Sequence, residues 1–170
     1  MTSETSTASE GAATDAATLE APNPGEAMAR VHAILEFDHC SHWLGITPIE
    51  ASDGHAVIEM TLRKEMLNGF GIAQGGMLFT FADVAFAMAC NEPEGADDHY
   101  TVAQGADVNF LKPGRPGSPL RATATRRVQQ GRSGLYDITV TQQNQRGEDE
   151  VLLEFRGRSR TITGAPPIVR

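Results

Sequence analysis

Asp83 is the residue whose setting most needs a chemical explanation. It stands within FTFADVAFAMA, flanked by Phe81, Ala82, Val84, Ala85 and Phe86. Taking an unpaired carboxylate out of water costs several kcal/mol, so the group must find a partner or serve a reaction. It lies too deep in the apolar run to cap a helix N-terminus. Eight residues earlier come Gly75 and Gly76, at the end of the loop Asn68-Gly69-Phe70-Gly71-Ile72-Ala73-Gln74. Where a helix begins, backbone N–H groups lack partners and carry partial positive charge. Glycine admits a ligand close to that backbone, so a carbonyl oxygen gaining negative charge could be held there. One such donor is worth about 3 kcal/mol in rate. Each feature alone has a plain alternative. Glycine pairs make turns, and a buried carboxylate can meet a donor from a neighbouring subunit. On one buried helix, the two together describe a site for carbonyl chemistry. His32, His39, His42, His55 and His99 show no metal spacing and receive no role. Cys40 and Cys90 belong to no CxxC or Cys/His cluster, so neither a metal nor another cofactor is expected.

The elements that must position these residues follow from periodicity. Residues 75–92 are apolar on every side except Thr80 and Asp83, the pattern of a helix enclosed by the rest of its domain. Residues 55–62 alternate apolar and polar, as a half-buried strand does. Further strands are expected at 100–111, 119–130, 134–144 and 150–163, separated by Gly and Pro at 113–119 and by Gly131, Gly134 and Gly147. Four such strands in succession imply an antiparallel meander with hairpin-like connections. Ahead of them, Ala27, Met28, Val31, Ile34 and Leu35 stand at helical spacing, and Pro48 bars helix farther on. The class is α+β, one long central helix wrapped by an antiparallel sheet.

Charge divides the chain unevenly. The net charge is −8, and five of the 22 acids (Glu4, Glu10, Asp15, Glu20, Glu26) fall in residues 1–26, which contain no Lys or Arg. That leaves 17 acids against 14 bases elsewhere, a net of −3. Such a balance repels a phosphate backbone, so no nucleic-acid partner is expected. Residues 1–24 have too little apolar surface to offset their ordering entropy and read as a disordered acidic tail. The domain is placed at 25–163, with a C-terminal tail at 164–170. No basic, apolar leader opens the chain, and no run of about 18 apolar residues occurs, so a cytoplasmic protein without membrane insertion is expected. Two isolated cysteines fit a reducing compartment, where both remain free thiols.

NGFGIAQGGMLFTFADVAFAMACNE, followed by NFLKPGRPG, GLYDITVTQQN and LLEFRGRSRTI, resembles the PaaI-type phenylacetate-pathway thioesterases from about residue 28 to 163. The resemblance implies a hot-dog fold and hydrolysis of a small acyl-coenzyme A, phenylacetyl-CoA or hydroxyphenylacetyl-CoA. It assigns the oxyanion N–H to Gly75, the nucleophile or general base to Asp83, and supporting roles to Asn68 and Gln74. Family members usually carry His where Gln74 stands. Gln can still donate and accept, but it cannot titrate. An Asn that steers water in some members corresponds here to Phe37, with Asp38 beside it, so water positioning is unassigned. The resemblance further implies a homodimer, assembled into a tetramer of two dimers, whose active sites draw loop and Asp from different chains.

Arg156, Arg158 and Arg160 recur at period two, on one face of a strand. With Lys112 and Arg115 they are candidates for the coenzyme A phosphates, against the plainer reading of a solvated sheet face. Two other function classes stay open. Hot-dog acyl-CoA hydratases work with a His beside the carboxylate, and no His follows the loop or helix suitably here. In a non-catalytic acyl-binding or assembly module, Asp83 would be only a paired interface charge.

Overall fold

The computed structural model describes residues 31–167. The acidic tail at 1–24, the domain start at residue 25 and the end of the 164–170 segment therefore fall outside the described residues. Within them, the helical spacing that begins at Ala27 resolves into a single 3-10 turn, Ala33–Leu35. His32, fully buried, holds that turn in place. Its Nε2 donates to the Met88 carbonyl at 2.9 Å, and its Nδ1 accepts from the Ile34 N–H at 3.3 Å. Only a neutral ring can do both.

A short helix, α1 (His39–Leu44), follows. The Asp38 carboxylate caps it by accepting from the Ser41 N–H at 3.0 Å, and Gly45 ends it in the left-handed region at φ 72°. Strands β1 (Thr47–Ser52) and β2 (His55–Met60) form a hairpin turning at Asp53-Gly54, where Gly54 has φ 79°. Next come the long helix α2 (Gly75–Cys90) and strands β3 (His99–Phe110), β4 (Leu120–Gln130), β5 (Ser133–Gln143) and β6 (Asp149–Thr163). The six strands make one antiparallel sheet in the order β1-β2-β4-β5-β6-β3.

The expected meander holds for β4, β5 and β6 but not for β3. That strand pairs with β6, from His99↔Thr163 to Phe110↔Leu153, and β2 takes the place beside β4. Pro113 and Pro116 in the connection cannot donate to a ladder, so the chain leaves β3 without turning back on it. The sheet curls around α2, helped by bulges between Ala103 and Gly105, Arg126 and Val128, and Val140 and Thr141. Ile58, Ala124, Ile138 and Phe155 line its concave face against Phe81, Ala85 and Phe86 of the helix. Gly157 is required here, because a Cβ at that position would stand 2.8 Å from the Phe86 ring. This is the hot-dog arrangement.

The sheet does not cover the helix on all sides. Gly76, Phe79, Thr80, Asp83, Ala87 and Cys90 form a partly open flank at helical spacing. At the sheet margin β3, twelve residues long, pairs with β6 on one side and with no other strand among the described residues. Among the described residues no helix is long and apolar enough to cross a membrane.

Candidate active site

The N-terminus of α2 is held by its approach loop. Leu67 and Ala73 form an isolated antiparallel bridge, and the Gln74 N–H donates to the Met66 carbonyl at 2.9 Å. Asn68 shapes this loop: its side-chain Oδ1 accepts from the Phe70 N–H at 2.9 Å, and its backbone carbonyl accepts from the Gly71 N–H at 2.9 Å. The Ala73 N–H reaches across to the Gly114 carbonyl at 2.8 Å, tying the loop to the β3–β4 connection. Gly114 permits this approach, since a Cβ there would meet the Ala73 methyl at 3.1 Å.

Gln74 occupies the N-cap position without a side-chain cap bond. The Met77 N–H turns back to the Gln74 carbonyl at 2.8 Å, while the N–H groups of Gly75 and Gly76 meet no acceptor among the described residues. Two free donors at the positive end of a sixteen-residue helix are equipped to bind an oxyanion. The Phe110 ring lies 3.3 Å from where a Cβ of Gly75 would sit, so a larger residue would displace the ring or the donor. A cavity of ≈ 400 Å³, walled by Gly75, Leu78, Phe110, Leu111 and Ile72, opens beside these donors.

Asp83 lies two turns along the same helix, on its open flank. Its carboxylate is half-buried and makes no ion pair or hydrogen bond among the described residues; burial alone raises its pKa above the ordinary range. A carboxyl shifted by desolvation, with no partner among the described residues, is a candidate working group. Cys90, two turns farther on, is pushed up to about 12 by burial and then by the charge of Asp83. Cys40 of α1 is raised by burial and then by the charges of Asp38 and Asp83.

Donors and carboxylate do not meet within one chain. Eight residues of helix at a rise of about 1.5 Å separate them by about 12 Å. A reacting carbonyl must lie about 3 Å from each. The candidate phosphate ligands divide as well. Lys112 and Arg115 sit in the β3–β4 connection, with Lys112 Nζ donating to Glu150 at 2.9 Å. Arg156, Arg158 and Arg160 share one face of β6 as their spacing implies, but it is the outer face, turned away from the helix. Arg156 donates to Asp137 at 2.7 Å, Arg158 donates to Asp107, and Arg160 donates to the Ser133 hydroxyl at 3.2 Å. Within one chain the β6 arginines take partners on β3 and β5, whereas Lys112 takes Glu150. No group of three or more His, Cys, Asp or Glu side chains suited to a metal occurs among the described residues.

A family model described as the thioesterase superfamily matches residues 70–148. The chain is 41% identical over 139 residues to the acyl-coenzyme A thioesterase PaaI of Escherichia coli (strain K12), covering 82% of this chain and 94% of that protein. The solved structure of the E. coli PaaI protein from the phenylacetic acid degradation operon superposes with a TM-score of 0.71 at 40% identity, over 80% of this chain and 93% of that one. A mutant structure of the phenylacetic acid degradation protein PaaI from Thermus thermophilus aligns at 27% identity with a TM-score of 0.64, over 72% of this chain and 98% of that chain.

Proposed function

This chain belongs to the PaaI-type acyl-coenzyme A thioesterases of the hot-dog fold, and we propose that it hydrolyses a small aryl-acetyl-CoA, phenylacetyl-CoA or hydroxyphenylacetyl-CoA, at sites shared between two copies. The half-buried, unpartnered Asp83 carboxylate carries this reading. The thioester carbonyl oxygen sits on the N–H groups of Gly75 and Gly76 of one copy. Asp83 of the other copy attacks the carbonyl carbon, forming an anhydride that water opens after the thiolate has left, or takes a proton from the water that attacks directly. The oxygen becomes an oxyanion, the C–S bond breaks, and coenzyme A leaves as a thiolate with an ordinary thiol pKa near 8.5. Such a leaving group needs little acid help, in keeping with a site that has Gln74 instead of a titrating side chain. Phe79, one turn before Asp83 on the open flank, offers an aromatic surface to an aryl group. The gap of about 12 Å along α2, the open flank and the free β3 edge all support assembly as a homodimer, with a tetramer of two dimers as its extension.

Thiol release from a panel of acyl-CoAs tests the substrate class. Asp83→Asn is expected to lower turnover by about 10²–10⁴-fold while leaving fold and assembly intact. Gly75→Val should be similarly impaired. Mixing the two unfolded chains and refolding them together should restore about a quarter of parental activity, because half the dimers are mixed and each regains one intact site. An Asp83→Asn variant within about tenfold of the parent, only ~1.4 kcal/mol of barrier, would end the role of Asp83. A mixture that stays inactive would end the shared site.

A further inference from the structure

Helix α2 and the edge strand β3 run alongside each other in opposite directions and are fastened at both ends. At the start of the helix the Phe110 ring lies against Gly75. At its end stands Asn91, the C-cap residue, whose backbone has already turned extended at φ −116° and ψ 157°. Its side chain reaches two ways. Nδ2 donates to the Ala87 carbonyl at 2.9 Å, one of the last-turn acceptors that a helix leaves without a partner. The same amide pairs with the backbone of Thr101 on β3: Nδ2 donates to its carbonyl at 3.0 Å, and Oδ1 accepts from its N–H at 2.8 Å. One side chain thus joins helix to strand through the pair of bonds that ordinarily joins two strands. Thr101 is itself fixed to β6, where its hydroxyl lies 2.9 Å from that of Thr161.

Asp83 stands at midspan, eight residues from Gly75 and eight from Asn91. A helix held at Gly75 and released at Asn91 would pivot. Asp83 lies about 12 Å from that pivot and Asn91 about 24 Å. A shift of about 2 Å at the released end therefore carries the carboxylate about 1 Å, and a misplacement of about 1 Å costs a reaction about a hundredfold. The donors at Gly75, beside the pivot, stay where they are. His32 also holds the far end, but its bonds to the Met88 and Asn91 carbonyls tie the helix to the Ala33–Leu35 turn and not to the sheet.

We propose that Asn91 is a positioning residue for the hydrolysis, holding α2 against β3 so that Asp83 meets the N–H groups presented by the second copy. This rests on the reading of the chain as an acyl-CoA hydrolase with shared sites. Because β3 is the outermost strand on its side of the sheet, a clamp on β3 refers the carboxylate to the margin at which the second copy joins.

Steady-state kinetics and a carboxyl NMR titration of Asp83, its signal identified with Asp83→Asn, test this. Asn91→Ala should lower kcat by about ten- to a hundredfold with KM unchanged, because it displaces Asp83 and spares the donors. Its Asp83 should also titrate lower than the parent's, because a tilted helix admits water to a group that burial raises. Sedimentation should find its assembly unchanged. Asn91→Gln keeps the amide but sets it one methylene farther out; it should lose less kcat, again at constant KM, and it replaces Asn91→Ala if that variant does not fold. Asp53→Ala serves as control and should move neither readout. It breaks the bidentate pair with Arg126, at 2.7 and 2.8 Å, on the side of the sheet away from β3. A folded Asn91→Ala with the parent's kcat, a rise in KM at constant kcat, an unmoved Asp83 titration, or an equal kcat loss in Asp53→Ala would each overturn the role. A parent protein inactive on every acyl-CoA would instead overturn the proposed function. The titration then decides alone: lowered in Asn91→Ala, it supports the hold of Asn91 on Asp83, and unmoved it refutes it.

Discussion

Asp83 and His32 are two buried titratable groups with opposite effects on stability. Burial raises the Asp83 pKa, so the folded state holds that proton more firmly than the unfolded chain does. Its ionised form therefore lowers stability, and the penalty disappears as pH falls through the raised pKa. Asp83→Asn should melt at a higher temperature than the parent at pH 7 even as it stops turning over. The parent's turnover should rise along a limb displaced above the ordinary Asp value of about 3.9. His32 behaves in reverse. Burial is the main influence and lowers its pKa, against weaker opposing pulls from the Met88 and Asn91 carbonyls and from Glu94. The neutral ring's contribution is complete above the unfolded value of about 6.5 and is lost as pH falls through the lowered folded value. Thermal melts of the parent between pH 7 and 5 should show that loss, and His32→Gln should flatten the slope. An identical slope in both would exclude His32 as the sensor.

At the scale of elements, Gly157 decides how closely α2 approaches the sheet. The Phe86 ring lies where a side chain would begin, so Gly157→Ala must push the helix or twist the ring. A loss of about 1–3 kcal/mol in denaturant unfolding is expected, with a similar fall in turnover if α2 shifts. Unchanged stability would mean that the ring moves freely. Helix α2 and the four long strands are legible in the sequence because each is long and strongly periodic. Strand β1 is missing from the expected elements, although Asp53-Gly54 between TPIEAS and HAVIEM is a strong hairpin signal. Helix α1, six residues long, is too short for its spacing to register. The place of β3 beside β6 is not legible, because no local pattern encodes a partner some fifty residues away. The site divides in the same way. Asp83 and the paired glycines are legible as a charge and a turn out of keeping with an apolar helix. The acid partners of Arg156 and Arg158 lie on other strands and leave no trace along the chain.

For the whole molecule, the uncovered parts are an edge and a flank. The β3 edge carries Val102 at 40% exposure, and Phe110 at 53% stands at its end. A long, partly apolar edge is a template for strand pairing, and the Asp83 flank of α2 lies open beside it. Sedimentation at micromolar concentration should find no stable monomer. A monomer that is fully active would remove the case for shared sites. The spacing of Gly75 and Asp83 on one helix has a kinetic consequence beyond geometry. With each site assembled from two chains, the number of working sites follows the dimer population and not the chain count. Below the dissociation constant of the pair, activity per milligram should decline in proportion to dilution, and total activity should grow as the square of concentration. The amount of protein a cell makes would then set how much enzyme it has and also what fraction of that enzyme is switched on.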